Sequence, residues 1–548
     1  LGEKTGYETT IVRKMLMTGG YKIYSTLNPD VQAAVEEVYQ NLDNIPATAS
    51  SQQLQSGIVV IDNKTGDVVA VAGGVGEKQG SLILNRATQS YLSPGSTIKP
   101  VSVYAPALEL GLVTPATVMD DTPYSFTDAR HWPKNSDSVY RGLMNINEAV
   151  KHSINTIPVK LVAQMTPEYC FEFAKEKMGL SSLVSSYVNA AGDTFSDIDL
   201  APLAMGGLTK GVSVKAMAQA YASFANEGVW REARTYTVVK DANGQIILDN
   251  TQDSHVAMKD MTAWYITDML ETTVQTGTGT AAQLENMTVA GKTGTTSRDF
   301  DRWFAGYTPY YTAAVWIGYD QNASIRANGN PAAQLWKKVM SEAHENLPNQ
   351  NFNGSTADMT QVTVCTRTGL LQGPGCTDVQ TVWVAASNAP ALVCDGHVAV
   401  NLCTESGKLA TEYCPAECVQ SVNAIDFTTE NLTAAWGYER TTILLPLSAA
   451  EYEAYAAQQA ADPTFVIPAG KPVQANDSGS VFSDLMMLGP CTLHQYVEPE
   501  PMPGEGYYDE NGNWVPAGET DPTDPEGSEE VSPEQGTDFL NWLLNTAA

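Results

Sequence analysis

Residues 93–100 read Ser93-Pro94-Gly95-Ser96-Thr97-Ile98-Lys99-Pro100, a Pro-Gly turn that runs into a segment of helical spacing, VSVYAPALELG. Ser96 and Lys99 then stand three residues apart on one face of a first helical turn. A serine hydroxyl is a weak nucleophile until a base takes its proton. A lysine can be that base only when burial or a neighbouring cation draws its pKa down. A helix N-terminus serves both needs, because its dipole disfavours the ammonium and its unpaired amides can hold an oxyanion. Ser-x-x-Lys alone arises by chance in a chain of this length, so its surroundings decide its meaning.

Upstream, IVVIDNKTGDVVAVAGG (58–74) places two Val- and Ile-rich runs around Asn63-Lys64-Thr65-Gly66, a β-hairpin signal. Before it, KIYSTL (22–27) reads as a short strand, and Asn28-Pro29 as an N-cap with proline at the first helical position of DVQAAVEEVYQ. Downstream, helical spacing returns in NINEAVKHSINTIPVKLVAQM (145–165) and in VKAMAQAYASFANEG (214–228). In the latter, Met217, Ala220, Tyr221 and Phe224 share a face and Gly228 marks the stop. Strands resume at MTVAGKTGTT (287–296), RWFAGYT (302–308) and YYTAAVWIGYD (310–320). A hairpin, a helical block and returning strands predict an α+β sheet domain whose first and last strands meet.

Two further motifs lie in this frame. Lys151-His152-Ser153-Ile154-Asn155 puts Ser153 57 residues after Ser96, and Gly291-Lys292-Thr293-Gly294-Thr295-Thr296 puts Lys292 139 residues after Ser153. A Lys-Thr-Gly in a strand usually reads as a solvated edge, because glycine weakens a strand unless something must approach its backbone closely, and Gly294 is a candidate for that exception.

In this order the three motifs resemble those of the penicillin-binding and serine β-lactamase superfamily. Asn85-Arg86-Ala87, Trp132-Pro133-Lys134-Asn135, Ala218-Gln219-Ala220-Tyr221 and Gly277-Thr278-Gly279-Thr280-Ala281 extend the resemblance over residues 20 to 342. TGGYKIYSTLNPDVQAAVEEVY (18–39) is similar to the linker between the catalytic halves of class A, bifunctional penicillin-binding proteins. The resemblance implies an α/β (α+β) transpeptidase sandwich, a mainly antiparallel sheet with helices on both faces. It implies a bacterial, extracytoplasmic peptidoglycan D,D-transpeptidase, acylated by β-lactams, with an anchor and glycosyltransferase domain upstream of Leu1.

By the same resemblance Ser96 attacks the penultimate D-Ala carbonyl of a stem peptide and Lys99 takes its proton. Ser153 relays a proton to the leaving amine, and Asn155 holds the substrate amide and Lys99. Lys292 attracts the terminal carboxylate, which Thr293 and Thr295 bond, while Gly294 lets the substrate lie along the strand. The oxyanion hole falls to the amides of Ser96 and Thr295. The partners implied are donor and acceptor stem peptides and β-lactams, with no cofactor and no metal. Two departures stand out: Ile154 in the variable position, and Leu92-Ser93 before Pro94 where many relatives have Arg-Gln. His152 has no evident acidic orienter and reads as a loop or surface residue.

Rival readings are a D,D-carboxypeptidase or β-lactamase-like hydrolase, in which water resolves the acyl-enzyme, and a non-catalytic β-lactam or cell-wall sensor. Class A β-lactamases deacylate with the glutamate of a Glu-x-x-x-Asn segment between the second and third motifs. No asparagine between Asn155 and Lys292 has a glutamate four positions before it.

The whole chain has 548 residues, enough for roughly three or four domains. With 31 Lys+Arg against 62 Asp+Glu and a net charge of −31, its balance excludes a nucleic-acid or anionic-lipid binder. No run reaches the roughly 18 to 20 apolar residues that span a bilayer, so a membrane is reached only through the anchor expected upstream. The expected organisation is a lead-in over 1–50, the transpeptidase domain over 51–345, a Cys-rich repeat module over 360–495 and a disordered acidic tail over 496–548.

Seven of eight cysteines fall between Cys365 and Cys491, with Cys170 apart. Cys365/Cys376 and Cys403/Cys414 repeat one spacing, and Cys394-x-x-His397 and Cys491-x-x-His494 repeat another. Each set is either a Cys3His zinc site or a disulfide framework. Outside the cell disulfides are favoured, with Cys365–Cys376 and Cys403–Cys414 the most local pairs and Cys418 left over.

Overall fold

The structure, a computed structural model, describes residues 2, 6–48, 50–127, 130–354, 356–406, 408–426 and 429–436. Beyond them it describes the segments 444–445, 471–472, 490–494, 506–508 and 514–516. Five strands form the central sheet: β1 (Gln55–Asp62), β2 (Val68–Ala72), β3 (Ala290–Thr295), β4 (Asp301–Tyr307) and β5 (Tyr311–Gly318). Their order is β3-β4-β5-β1-β2, antiparallel throughout. The first hairpin thus joins the last strands through β5 and β1, as the sequence predicts, with Val315 opposite Ile58.

Both faces of this sheet are buried, which is why its strands read as continuous apolar runs. Val59, Ile61, Trp303, Ala305, Tyr307, Ala314 and Trp316 meet one core, and Ile58, Val60, Phe304, Ala313, Val315 and Ile317 meet the other. The helices that matter are α1 (Pro29–Gln40), α2 (Ile146–Lys151), α3 (Thr156–Met165), α4 (Val214–Ala225), α5 (Asp260–Thr276) and α6 (Pro331–Ala343). Met217, Ala220, Tyr221 and Phe224 of α4 join Ile266, Met269 and Leu270 of α5 in the first core. Val31, Val35 and Val38 of α1 and Leu335, Trp336 and Val339 of α6 cover the second. Both covering helices start as their sequences dictate. Asn28 Oδ1 accepts from the amides of Asp30 and Val31, and Asn330 Oδ1 from that of Ala333, each cap followed by proline at the first helical position.

The segment after the serine departs from a plain α-helix. Gly95–Ile98 is a 3-10 turn, Pro100–Tyr104 is π-helical, and only Ala105–Glu109 is α-helical. Pro100 and Pro106 have no amide to donate, so the regular i to i−4 ladder cannot run through them. The stretch 145–165 is likewise two helices, α2 and α3, broken at residues 152–155.

After Met359 two antiparallel hairpins follow, β6 (Met359–Cys365) with β7 (Val379–Ala385) and β8 (His397–Cys403) with β9 (Val419–Ile425). The first is tied to the main body: the Ala385 amide donates to the Tyr265 hydroxyl at 2.6 Å, and Trp383 meets Trp264 edge-on. The expected disulfides are not formed, since all eight cysteines are unbridged. Cys376 and Cys414 each fold back beside two other cysteines and a histidine instead of closing a local loop. Most of the expected acidic tail lies outside the described residues. Within it Gly506–Tyr508 pairs with Trp514–Pro516, where aromatic strand formers outweigh the acidic composition locally. No helix among the described residues is long and apolar enough to cross a membrane.

Trp336 is fully buried, meets Phe304 edge-on at 5.2 Å and donates to the Ala313 carbonyl at 3.0 Å. Trp336→Ala is therefore expected to lower unfolding free energy by ~3–5 kcal/mol, read by urea denaturation with circular dichroism. An unchanged midpoint would refute close packing on this face.

Candidate functional site: a serine and two buried lysines

Ser96 sits on a 3-10 turn wedged between the sheet edge and the segment at Gly206. β3 is the outermost strand, and a methyl group placed on its Gly294 would lie 2.4 Å from the Pro94 carbonyl oxygen. Gly206, at φ +79°, approaches the turn so closely that a methyl group there would meet the Gly95 oxygen at 2.3 Å. Only glycine tolerates both the positive φ and the contact. The turn is pinned further by side chains. Trp303 Nε1 donates to the Ser93 carbonyl at 2.8 Å, the Tyr221 hydroxyl to the Thr97 carbonyl at 2.7 Å, and Ser93 Oγ to the Gly206 carbonyl at 3.0 Å. Ser96 itself is half-buried and lines an open groove of about 1100 Å³ with Ser153, Asn155, Thr278, Thr293 and Thr295.

Lys99, one turn on, has no exposed surface. Three acceptors surround its Nζ within hydrogen-bond distance: the carbonyls of Ser153 (2.8 Å) and Ile154 (2.7 Å) and Asn155 Oδ1 (2.6 Å). Burial above all, then the neighbouring Lys292, hold its pKa well below the ordinary lysine value, against an opposing pull from Asp121. Lys292, equally buried, donates to Ser153 Oγ at 2.7 Å and to the Thr293 carbonyl at 3.1 Å. Burial lowers its pKa to about 7.

Ser153 joins the two lysines, its carbonyl facing one and its hydroxyl the other. Its φ is +56°, a left-handed conformation that a serine holds only where the surroundings impose it. The break between α2 and α3 imposes it here, with the amides of Ser153 and Ile154 returning to the carbonyls of Val150 and Ala149.

Beneath lies a network that sequence reasoning did not assign. Asn155 Nδ2 donates to the Lys134 carbonyl, and the Asn155 amide donates to Asn135 Oδ1. Asn135 Nδ2 in turn reaches both oxygens of Asp121, at 2.8 and 2.9 Å. Asp121 is fully buried and also accepts from Thr156 Oγ1 and the Arg141 amide. Asn135 closes the Trp132–Asn135 motif, but the sequence gives it no role, and nothing in the Asp120-Asp121 dipeptide singles out Asp121. Thr278, in the Gly277–Ala281 motif, is another such residue: its hydroxyl accepts from Thr293 Oγ1 at 3.0 Å. His152, read as lacking an acidic partner, has one: its Nε2 lies 3.1 Å from Glu148 Oε2, a carboxylate shared with Lys151. His152 is not among the residues lining the groove, consistent with its reading as a loop residue.

The penicillin binding protein transpeptidase domain family matches residues 56–341. The chain belongs to this family. It is 32% identical over 432 residues to penicillin-binding protein 1A of Clostridium botulinum, covering 76% of this chain and 51% of that protein. It is 34% identical over 345 residues to penicillin-binding protein 1F of Bacillus subtilis, covering 61% and 45%. The chain thus spans about half the length of the curated relatives it matches. Among solved structures, penicillin-binding protein 1A from Haemophilus influenzae superposes with a TM-score of 0.57 at 19% identity, covering 70% of this chain and 76% of that one. The penicillin-binding protein PonA1 from Mycobacterium tuberculosis gives 0.53 at 25%, covering 64% and 91%. The fold expected from the motifs, helices with antiparallel sheet, is therefore that of the penicillin-binding transpeptidase domains.

In the unfolded chain Lys292 binds a proton up to its ordinary pKa of about 10.4, whereas in the folded state it releases one near 7. Between those values the unfolded state holds more protons, so folding stability contributed by this group rises with pH and is lowest at and below neutrality. Lys292→Met removes the titration. Its melting temperature is expected to compare more favourably with that of the wild type at pH 7 than at pH 9.5; a difference independent of pH would contradict a depressed pKa.

Proposed function

We propose that this chain carries the D,D-transpeptidase activity of a bifunctional peptidoglycan synthase. The observation that carries the reading is the placement of two buried, hydrogen-bonded lysines around Ser153, beside a serine opening into a groove along a sheet edge. Neutral Lys99 takes the Ser96 proton through its lone pair, for which one of its three contacts yields its place to Ser96 Oγ. The remaining acceptors around Nζ stabilise the ammonium as it forms. Ser96 Oγ attacks the carbonyl of the penultimate D-Ala, the C–N bond to the terminal D-Ala breaks, and Ser153 passes a proton to the departing amine. An amine of a neighbouring stem then attacks the ester, forming the cross-linking amide and returning the hydroxyl to Ser96.

Lys292, Thr293 and Thr295 receive the substrate carboxylate. A pKa near 7 lets Lys292 become charged as the carboxylate arrives and desolvates the groove. The edge of β3 accepts the stem peptide as an added strand, whereas Gly294, expected to make room for substrate, makes room for the Pro94 carbonyl of the serine turn. The amides of Ser96 and Thr295 form the oxyanion hole. β-Lactams acylate Ser96 by the same attack, and the chain works at the extracytoplasmic face of the membrane.

A fluorescent penicillin should label the chain covalently and persist for hours, and Ser96→Ala should abolish labelling. With a stem peptide ending in D-Ala-D-Ala, an added acceptor amine should convert D-Ala release into cross-linked product. Label lost within seconds would indicate a β-lactamase, D-Ala release without transfer a carboxypeptidase, and acylation without turnover of stem peptide a sensor.

A further inference from the structure

The hairpins after Met359 hold two clusters that peptide cross-linking does not use. Cys365 at the end of β6, Cys376, Cys394 and His397 at the start of β8 place one ligand atom each within 4.8 Å of one another. Cys403 at the end of β8, Cys414, Cys491 and His494 do the same. The backbone repeats with the cysteines. Gly373 N donates to Cys376 Sγ and Thr411 N to Cys414 Sγ, both at 3.3 Å, while Cys394 N reaches the Leu371 carbonyl and Cys491 N the Leu409 carbonyl, both at 2.8 Å. We infer that each cluster is a tetrahedral zinc site of three thiolates and one imidazole.

The number of sulfurs argues first. A disulfide joins two of them, so in a set of three it strands one thiol and the imidazole, whereas one ion engages all four groups. Spacing argues next. Zn–S bonds near 2.3 Å and Zn–N bonds near 2.0–2.1 Å separate tetrahedral ligand atoms by about 3.6–3.8 Å. Cys365 Sγ lies 3.1 Å from His397 Nε2, and Cys403 Sγ and Cys491 Sγ each lie 3.5 Å from His494 Nδ1. An ion changes these three separations by about half an ångström or less.

The far side of each imidazole is also arranged for a metal. His397 Nδ1 lies 3.2 Å from Asn423 Oδ1, and His494 Nε2 lies 3.1 Å from Glu405 Oε2. Donating an N–H to that oxygen leaves the other ring nitrogen with a lone pair facing the sulfurs, the arrangement metal-bound histidines adopt. Finally, these hairpins need a staple. Each is a two-stranded sheet, marginal in water by itself, and the core of the second consists of Cys403, Cys418 and Cys491 with Ala410 and Cys414 against them. Binding releases one proton from each ligating thiol and cross-links segments as distant in sequence as Cys403 and Cys491. This replaces the expectations of disulfides and of no metal with a pair of structural zinc sites.

The test uses the full chain, purified without reductant or chelator. Zinc is counted by inductively coupled plasma mass spectrometry, and thiols are titrated after denaturation in chelator. The expected result is two zinc ions per chain, one for each Cys3His set, and all eight cysteines titrating as thiols. Cobalt(II) added to the stripped protein should give the visible bands of tetrahedral thiolate coordination. Cys376→Ser and Cys414→Ser should each lower the zinc count by one. A chain without zinc, or one with fewer thiols and a mass lower by two hydrogens per bridge, overturns the proposal. A single zinc overturns it for the cluster whose variant leaves the count unchanged. The wild-type counts decide even if a variant fails to fold.

Discussion

Two lysines without exposed surface converge on Ser153, and the rest of the groove region serves that burial. An ammonium taken out of water is costly unless acceptors replace its hydration, and the cheaper outcome is a neutral amine with a lowered pKa. The fold balances the two: burial lowers both pKa values, while acceptors around each amine limit the cost of charging it. The break between α2 and α3 turns two carbonyls and one amide oxygen towards Lys99 and a hydroxyl towards Lys292. Asp121, through Asn135, fixes the Asn155 side of this cage from a fully buried position. The central sheet supplies the other wall, since Lys292 lies on its edge strand and packing on both faces holds that strand in place.

Much of this was legible in the sequence because it rests on local pattern. The hairpin of β1 and β2, the capped start of α1, the buried face of α4 and the meeting of β1 with β5 follow from period, turn residues and order along the chain. The three motifs named the residues that gather at the groove. What the sequence did not show depends on distant partners or on backbone detail. Asp121 and Asn135 are ordinary polar residues until the fold buries them together, and Glu148 is an orienter for His152 only because α2 brings position i beside i+4. The π-helical stretch at Pro100–Tyr104 follows from two prolines that apolar spacing alone does not weigh.

The cysteines show the same limit. Their repeated spacing announced a cross-linked module, but spacing cannot tell a bridge from a ligand set. The convergence of Cys394 and His397 on the Cys365/Cys376 pair, and of Cys491 and His494 on the Cys403/Cys414 pair, is what favours the ligand set. In both halves of the chain, side chains far apart in sequence are brought to one point by short strands and tight turns. In the first half that point is the proposed reaction centre, and in the second the proposed metal sites.

The most direct test of the central claim is a crystal structure of the chain after reaction with benzylpenicillin. The account predicts an ester on Ser96 Oγ, its carbonyl oxygen between the Ser96 and Thr295 amides, the ligand carboxylate on Thr293 and Thr295, and Lys99 still bonded to Asn155. An adduct on another residue, or an ester on Ser96 with its carbonyl turned away from those amides and Lys99 displaced into solvent, would contradict it.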